Sequence, residues 1–266
     1  MALQFILGGS GSGKTTQLHE YLHRESIQNP ETQYFVVVPE QFTMETQREL
    51  VASSSRGGIM NLEVQSFVRL AYRIFQEQGC GREPVLDDMG KTLVLRRVLA
   101  SHQDELVYFG KNIHKKGYVA EIKSFLSELL QYGVDQEMLE QMQQSASGKR
   151  VLYDKLQDME VAYQAFREYL EGHYITSEEV LDLLCRQVCH SPLLRGSVLC
   201  LDGFTGFTPI QNRLIKELLK TAEDIYVTVT IDVRENFYHC MGAHELFAMS
   251  KKMIRSLQKM ADELHI

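Results

Sequence analysis

Residues 8–16 read Gly-Gly-Ser-Gly-Ser-Gly-Lys-Thr-Thr, which satisfies the spacing of a glycine, four residues and then Gly-Lys-Thr. Each part has a chemical use. Glycines let successive backbone N–H groups turn inward around phosphate oxygens, and a helix beginning at the lysine adds the positive end of its dipole. Lys14 supplies the charge for the β- and γ-phosphates, and the Thr15 hydroxyl is a ligand for Mg2+. Gly8, Gly9, Ser10, Gly11, Ser12, Gly13, Lys14, Thr15 and Thr16 are therefore the expected phosphate seat. A glycine-rich turn with a lysine in it is the plainer reading, but a chain of this length matches the pattern by accident only about once in a hundred.

The second chemical group is Asp202, which closes the apolar run SVLCLD at 197–202. Parallel phosphate-loop sheets put a carboxylate at the end of such a strand, where it shares Mg2+ with the threonine. An aspartate that merely starts a turn is the alternative. ATPases commonly follow this aspartate with a glutamate that orients the attacking water, and here Gly203 stands in that place. The pattern favours holding a nucleotide over hydrolysing it, with Glu40 and Glu45 as the carboxylates that could stand in. Cys185 and Cys189 lie four apart and on a helix would share a face, with His190 nearby, but two small buried residues are a simpler explanation than a metal site.

The elements that must carry these groups alternate. QFIL (4–7), then a helix-compatible stretch from Lys14, reads strand, loop, helix; YFVVVP (34–39) is a buried parallel strand, and TMETQREL follows as a helix with Thr43 as N-cap. NLEVQSFVRLAYRIF (61–75) gives a third strand and helix, its Phe67, Leu70, Ala71 and Ile74 at helical spacing. From about Val85 to about His190 only helices are expected. One stripe is Tyr118, Ile122, Phe125, Leu126 and Leu129, ending at Gly133; another is Leu152, Leu156, Met159, Tyr163, Phe166 and Leu170, ending at Gly172. Thr176 and Glu179 form a capping box for a third helix, with Val180, Leu183 and Leu184 inward. Strands resume at 197–202 and 224–232. A last helix carries Leu246, Met249, Met253, Leu257 and Met260 and ends without a recognisable cap, as in a chain cut from a longer one. The expected fold is α/β, a parallel sheet with helices on both faces (1–80 and 191–266) interrupted by an all-helical insertion at 81–190.

Order and spacing of VVPEQFTMETQ, VQSFVRLAYRIF and LDGFTGFTPIQ after the phosphate loop resemble the N-terminal part of the AddB family, subunits of bacterial AddAB helicase-nucleases, and more distantly the UvrD-like superfamily 1 helicases. The resemblance implies a RecA-like domain that binds ATP and Mg2+, completed by a second such domain elsewhere, with the insertion in the role of accessory domain 1B. It places Asp202 on the magnesium position of motif II, and Pro39, Glu40, Gln41, Thr43, Ser66 and Phe67 in loops that track single-stranded DNA. It also implies an AddA-type partner subunit, action on duplex ends in double-strand-break repair and recombination, and a nuclease domain with an iron–sulfur cluster in a C-terminal region beyond this sequence. Active relatives read about Asp-Glu-Phe-Gln-Asp at motif II, whereas residues 202–206 are Asp-Gly-Phe-Thr-Gly, and VTVTIDVREN lacks the glutamine of motif III. A P-loop kinase with a helical lid and a scaffold with a vestigial nucleotide site are the competing readings.

The totals narrow the field further. Across 266 residues the formal charge is −7, so DNA contact must come from local basic patches such as FVRLAYRIF and HKKGYVAEIKSF, with solvated helix faces as the simpler explanation. No stretch reaches the length of a membrane span, no secretory leader is recognisable, and the five cysteines (Cys80, Cys185, Cys189, Cys200, Cys240) contain no C-x-x-C pair. A cytoplasmic protein without membrane contact is the expectation.

Overall fold

The computed structural model describes residues 2–54, 57–81, 84–110, 115–134, 136–237, 239, 242 and 244–266. In chain order the elements are β1 (Ala2–Gly8), α1 (Lys14–Gln28), β2 (Tyr34–Val37), α2 (Thr43–Ser53), β3 (Leu62–Gln65), α3 (Phe67–Gln78), β4 (Val85–Leu86), α4 (Asp88–Ser101), α5 (Lys116–Tyr132), α6 (Gln136–Ser145) and α7 (Arg150–Leu170). They continue with β5 (Ile175–Thr176), α8 (Ser177–Gln187), β6 (Val198–Leu201), α9 (Pro209–Thr221), β7 (Asp224–Thr230) and α10 (Ala248–Leu264). Two compact units divide them: Met1–Gly81 with Leu181–Ile266, and Arg82–Val180. The second crossing lies within α8, earlier than the expected residue 190.

The first unit is an α/β domain built on a five-stranded, all-parallel sheet in the order β1-β7-β6-β2-β3. Right-handed crossovers decide where its helices go. The chain moves one way along the sheet from β1 through α1 to β2 and through α2 to β3, then the opposite way from β6 through α9 to β7, so the two sets of helices cover opposite faces. Leu18 and Leu22 of α1 and Leu50 of α2 pack on Tyr34, Val36, Val198 and Cys200. Phe35, Val37, Leu199 and Leu201 point to the other face and are equally buried, which is why β2 and β6 read as continuous apolar runs. This is the layout of a RecA-like fold, and it brings all the loops after the strands to one edge of the sheet.

Local chemistry explains where several elements start and stop. Ser66 caps α3 by accepting a bond from the Arg69 amide, and Gly79 closes that helix in the left-handed region. Thr208 and Gln211 form a complete capping box on α9, with Pro209 in its first turn. Thr43 is not the N-cap of α2: a 3-10 turn over Glu40–Phe42 runs straight into the helix, so Thr43 is already helical and its hydroxyl donates back to the Glu40 carbonyl at 3.0 Å. Leu246 and Met249 are exposed and stand outside the stripe of α10: Leu246 precedes the helix, Met249 lies exposed in its first turn, and the buried residues are Met253, Ile254, Leu257 and Ala261. It does have a cap. His265 is left-handed at φ 59°, and the amides of His265 and Ile266 reach back to Asp262 and Ala261, a Schellman closure.

The second unit has its own core of Leu95, Leu99, Phe109, Ile122, Leu126, Leu139, Met159 and Phe166. It is not purely helical. Val85–Leu86 and Ile175–Thr176 pair as a two-residue parallel ladder at its two ends, too short for any periodicity to announce. The expected stripes hold, except that Leu152 in the first turn of α7 is exposed and Leu183 of α8 is only half-buried. The Thr176–Glu179 capping box is formed in both directions, at 2.8 and 3.3 Å. Lys91 is buried with its ammonium on both Glu178 oxygens at 2.7 and 2.9 Å. Asp158, fully buried on α7, accepts the backbone N–H groups of Val107, Tyr108 and Phe109 at 2.7, 2.8 and 2.6 Å.

Removing the buried Asp158 carboxylate takes the acceptor from three amides, of which that of Phe109 is buried and has no route to water. Asp158→Ala is expected to destabilise this unit by roughly 3 kcal/mol or more, read as a lowered urea midpoint in denaturation followed by circular dichroism.

Candidate nucleotide site

The loop between β1 and α1 has the shape its glycines allow. Gly11 and Gly13 lie at φ 71° and 83°, in the left-handed region that side chains avoid, and Gly13 is the residue from which α1 departs. Gly8 is buried where a Cβ would collide with the Ser12 hydroxyl. Ser10 to Gly13 are exposed, so this stretch of backbone is open to a ligand at the start of a 15-residue helix. Lys14 is folded onto its own loop, donating to the carbonyls of Gly8 at 3.0 Å and Gly9 at 2.7 Å. Those acceptors are neutral, so a phosphate oxygen competes for the ammonium on favourable terms.

Asp202 closes β6 and is buried. The Thr15 hydroxyl lies 3.1 and 3.3 Å from its two carboxylate oxygens, joining residues 187 apart in sequence. A second hydroxyl holds the same carboxylate from the other side: Thr228 of β7 donates to Oδ1 at 2.5 Å and accepts the Gly203 amide at 3.4 Å. Nothing about a threonine in an apolar strand marks it as functional; only the sheet register, which runs β6 beside β7 with Leu201 opposite Val227, makes it visible. The donor set is hard oxygen throughout, one carboxylate and one hydroxyl beside an open phosphate loop, which is the chemistry Mg2+ takes when phosphates and water complete its shell. The residues therefore fit a Mg2+–nucleotide.

One helical turn beyond Thr15, His19 is buried with Nε2 lacking a partner. Burial pushes its imidazole below the usual value of 6.5, and the nearby Asp202 and Glu49 charges only partly oppose this. Gly203, in the place of the missing glutamate, lies at φ 76°. A glutamate there would have to adopt a backbone that side chains rarely accept. The two phenylalanines that follow turn inward: Phe204 and Phe207 pack on each other at 5.0 Å between centroids, and on Phe67 at 5.4 and 6.3 Å.

The residues read as DNA-tracking are placed unequally. Gln41 is exposed, and beside it so are Phe42 and Met44, which the sequence did not single out. Pro39 is half-buried against Gly203, while Thr43, Ser66 and Phe67 are buried. Glu40 is held at the start of α3 by the Ser66 hydroxyl and by Arg69 at 3.1 Å, and Glu45 is exposed. Arg73 pairs with Glu63 at 3.5 Å. Of the other basic segment, His114 and the Lys116 side chain lie outside the described residues, and Lys123 pairs with Asp88.

Cys185 and Cys189 do not share a face, because α8 ends at Gln187 and gives way to a 3-10 turn. Cys185 is buried, its thiol pushed up to about 11, whereas Cys189 is exposed; Cys240 lies outside the described residues. Among the described residues no group of three or more His, Cys, Asp or Glu side chains is arranged to hold a metal, and no helix is long and apolar enough to cross a membrane.

The family model described as "ADDB, N-terminal" matches residues 5–266. A subunit of the ATP-dependent helicase/deoxyribonuclease of Lachnoclostridium phytofermentans is 42% identical over 261 residues, covering 98% of this chain and 23% of the relative. Proteins of the same description from Desulforudis audaxviator and Bacillus velezensis are 37% and 30% identical, covering 88% and 100% of this chain and 20% and 23% of theirs. The chain belongs to the AddB N-terminal family and spans less than a quarter of the length of these relatives.

The neutral state of His19 has a thermodynamic signature. Its pKa is lowered in the fold, so on acidification the unfolded chain takes up the proton first, and stability is lost as pH falls below about 6.5. Between pH 7.5 and 5.5 the melting temperature of the wild type is expected to fall more than that of His19→Gln; parallel curves would show that the imidazole is not held neutral.

Proposed function

We propose that this AddB-type N-terminal domain binds ATP with Mg2+ and engages single-stranded DNA, and that it hydrolyses the nucleotide slowly or not at all. The observation that carries the reading is the contact of Thr15 with Asp202 beneath an open phosphate loop, with Gly203 where a water-orienting carboxylate is needed.

The roles follow from the chain's own groups. Lys14 gives up the Gly8 and Gly9 carbonyls for phosphate oxygens, and the exposed backbone of 10–13 together with the start of α1 supplies further donors and positive potential. Thr15 and Asp202 would hold Mg2+, which when bound neutralises phosphate charge. Phosphoryl transfer to water depends on orienting the nucleophile, and Glu40, one of the two carboxylates that could stand in, is bound to Ser66 and Arg69. Lacking a positioned base, the domain is slower than an active relative by on the order of 10²–10⁴.

DNA engagement is assigned to the loops after β2 and β3, with exposed Gln41 and Phe42 as the groups free to meet a strand. In the whole protein, this domain would serve a helicase-nuclease of two subunits, the other of AddA type, acting on DNA ends in break repair and recombination. The names of the relatives, each one subunit of an ATP-dependent helicase/deoxyribonuclease, support that setting.

Thermal stabilisation by ATP and Mg2+ is expected in the wild type and lost in Lys14→Ala, measured by differential scanning fluorimetry. Phosphate release is expected to stay near background with or without single-stranded DNA. A strong stimulation by DNA would overturn the slow-hydrolysis reading, and stimulation by a small metabolite would point to a kinase.

A further inference from the structure

Thr228 has a claim on the nucleotide site that its place in the sequence conceals. It lies one residue beyond Val227, which pairs with Leu201 at the end of the β6–β7 ladder, so the register carries it to the level of Asp202. Its other neighbour, across the ladder with β1, is Ile6. It is buried, and a buried hydroxyl needs partners. Those it has found are the Asp202 carboxylate, to which it donates at 2.5 Å, and the Gly203 amide, from which it accepts at 3.4 Å. One side chain thus fixes both the carboxylate and the first peptide of the loop that follows it.

The two hydroxyls on Asp202 are not equivalent. Thr15 stands on the phosphate-loop helix and is itself the expected metal ligand, so its bond to the carboxylate has to be shared with the ion. Thr228 belongs to a central strand, with its backbone paired to β1, so its bond to Oδ1 is anchored in the sheet and not in the phosphate loop. The Thr15 hydroxyl reaches both oxygens, at 3.3 Å from Oδ1 and 3.1 Å from Oδ2, so with Oδ1 held by Thr228 the nearer oxygen is the one left free of it. Ligating carboxylates are commonly fixed by such outer hydrogen bonds, and losing one costs roughly 10- to 100-fold in metal affinity.

We propose that Thr228 is a positioning residue: by holding Asp202 turned toward Thr15 it sets the magnesium-dependent part of nucleotide affinity. The inference rests on the nucleotide reading above, and the experiment separates the two. Affinity for ATP is measured by isothermal titration calorimetry, once with Mg2+ and once with EDTA, for the wild type, Thr228→Val and Thr228→Ser. The wild type is expected to bind ATP more tightly with Mg2+. Thr228→Val is expected to lose roughly tenfold of that advantage while its affinity in EDTA stays unchanged, and Thr228→Ser, which keeps the hydroxyl, to restore most of it. A purely structural threonine would weaken both conditions alike, so an equal loss in both overturns the inference, as does a valine variant with its magnesium advantage intact. Absence of any nucleotide binding by the wild type would overturn the nucleotide reading and this proposal with it. Thr228→Ala, read in the same way, covers the case in which the valine variant does not fold.

Discussion

The contact between Thr15 and Asp202 is the constraint on which the first unit turns. It joins the start of α1 to the end of β6, and those two points meet only if β1, β7 and β6 are adjacent, parallel and in register. Moving β6 by one residue would point its terminal carboxylate to the opposite face of the sheet. Val198 to Leu201 are apolar on both faces and would tolerate such a slip, so the register is pinned by the buried polar residues at the two ends of the run, Ser197 on the Leu194 carbonyl and Asp202 on the Thr15 and Thr228 hydroxyls. The chemistry at the edge thus helps to set the packing in the middle.

The second unit answers a different demand. An insertion of this size needs its own core, and the long stripes of α5 and α7 supply it. Helical packing alone leaves its irregular connections unfixed. The buried groups Asp158 and Lys91 do that work, the first by gathering three amides from the turn at 107–109 and the second by joining α4 to the start of α8 through Glu178. Both are polar groups in an apolar setting, tolerable only because each is met by several partners.

Legibility in the sequence followed the length and regularity of each signal. The phosphate loop could be read because its spacing is rigid and a chance match to it is rare. The strands at 34–37 and 198–201 could be read because burial on both faces leaves no polar residue in them. What escaped was short or depended on partners distant in sequence. The β4–β5 ladder has two residues on each side and no period. Thr228 is one β-branched residue among several in β7, and its meaning comes from a carboxylate 26 residues away. The cap of α10 uses His265 in a conformation usually left to glycine or asparagine, so residue type gave no warning. Phe67 was read by resemblance as a DNA contact, and the structure gives its ring to Phe204 and Phe207.

That aromatic contact bears on how the loop after Asp202 differs from an active motif II. Two features accompany the glycine at 203, a left-handed backbone and an amide bound by Thr228, while Phe204, a residue type shared with the active motif, packs against the Phe67 ring of α3. A single substitution to glutamate at 203 would meet backbone strain of about 1–2 kcal/mol before its carboxylate met anything. The aromatic cluster resists the rearrangement that would relieve that strain, since releasing Phe204 gives up its contacts with both Phe67 and Phe207. Gly203 is thus held by its backbone conformation and by the packing of its neighbours as well as by residue identity, while Asp202 keeps both of its hydroxyl partners, Thr15 and Thr228.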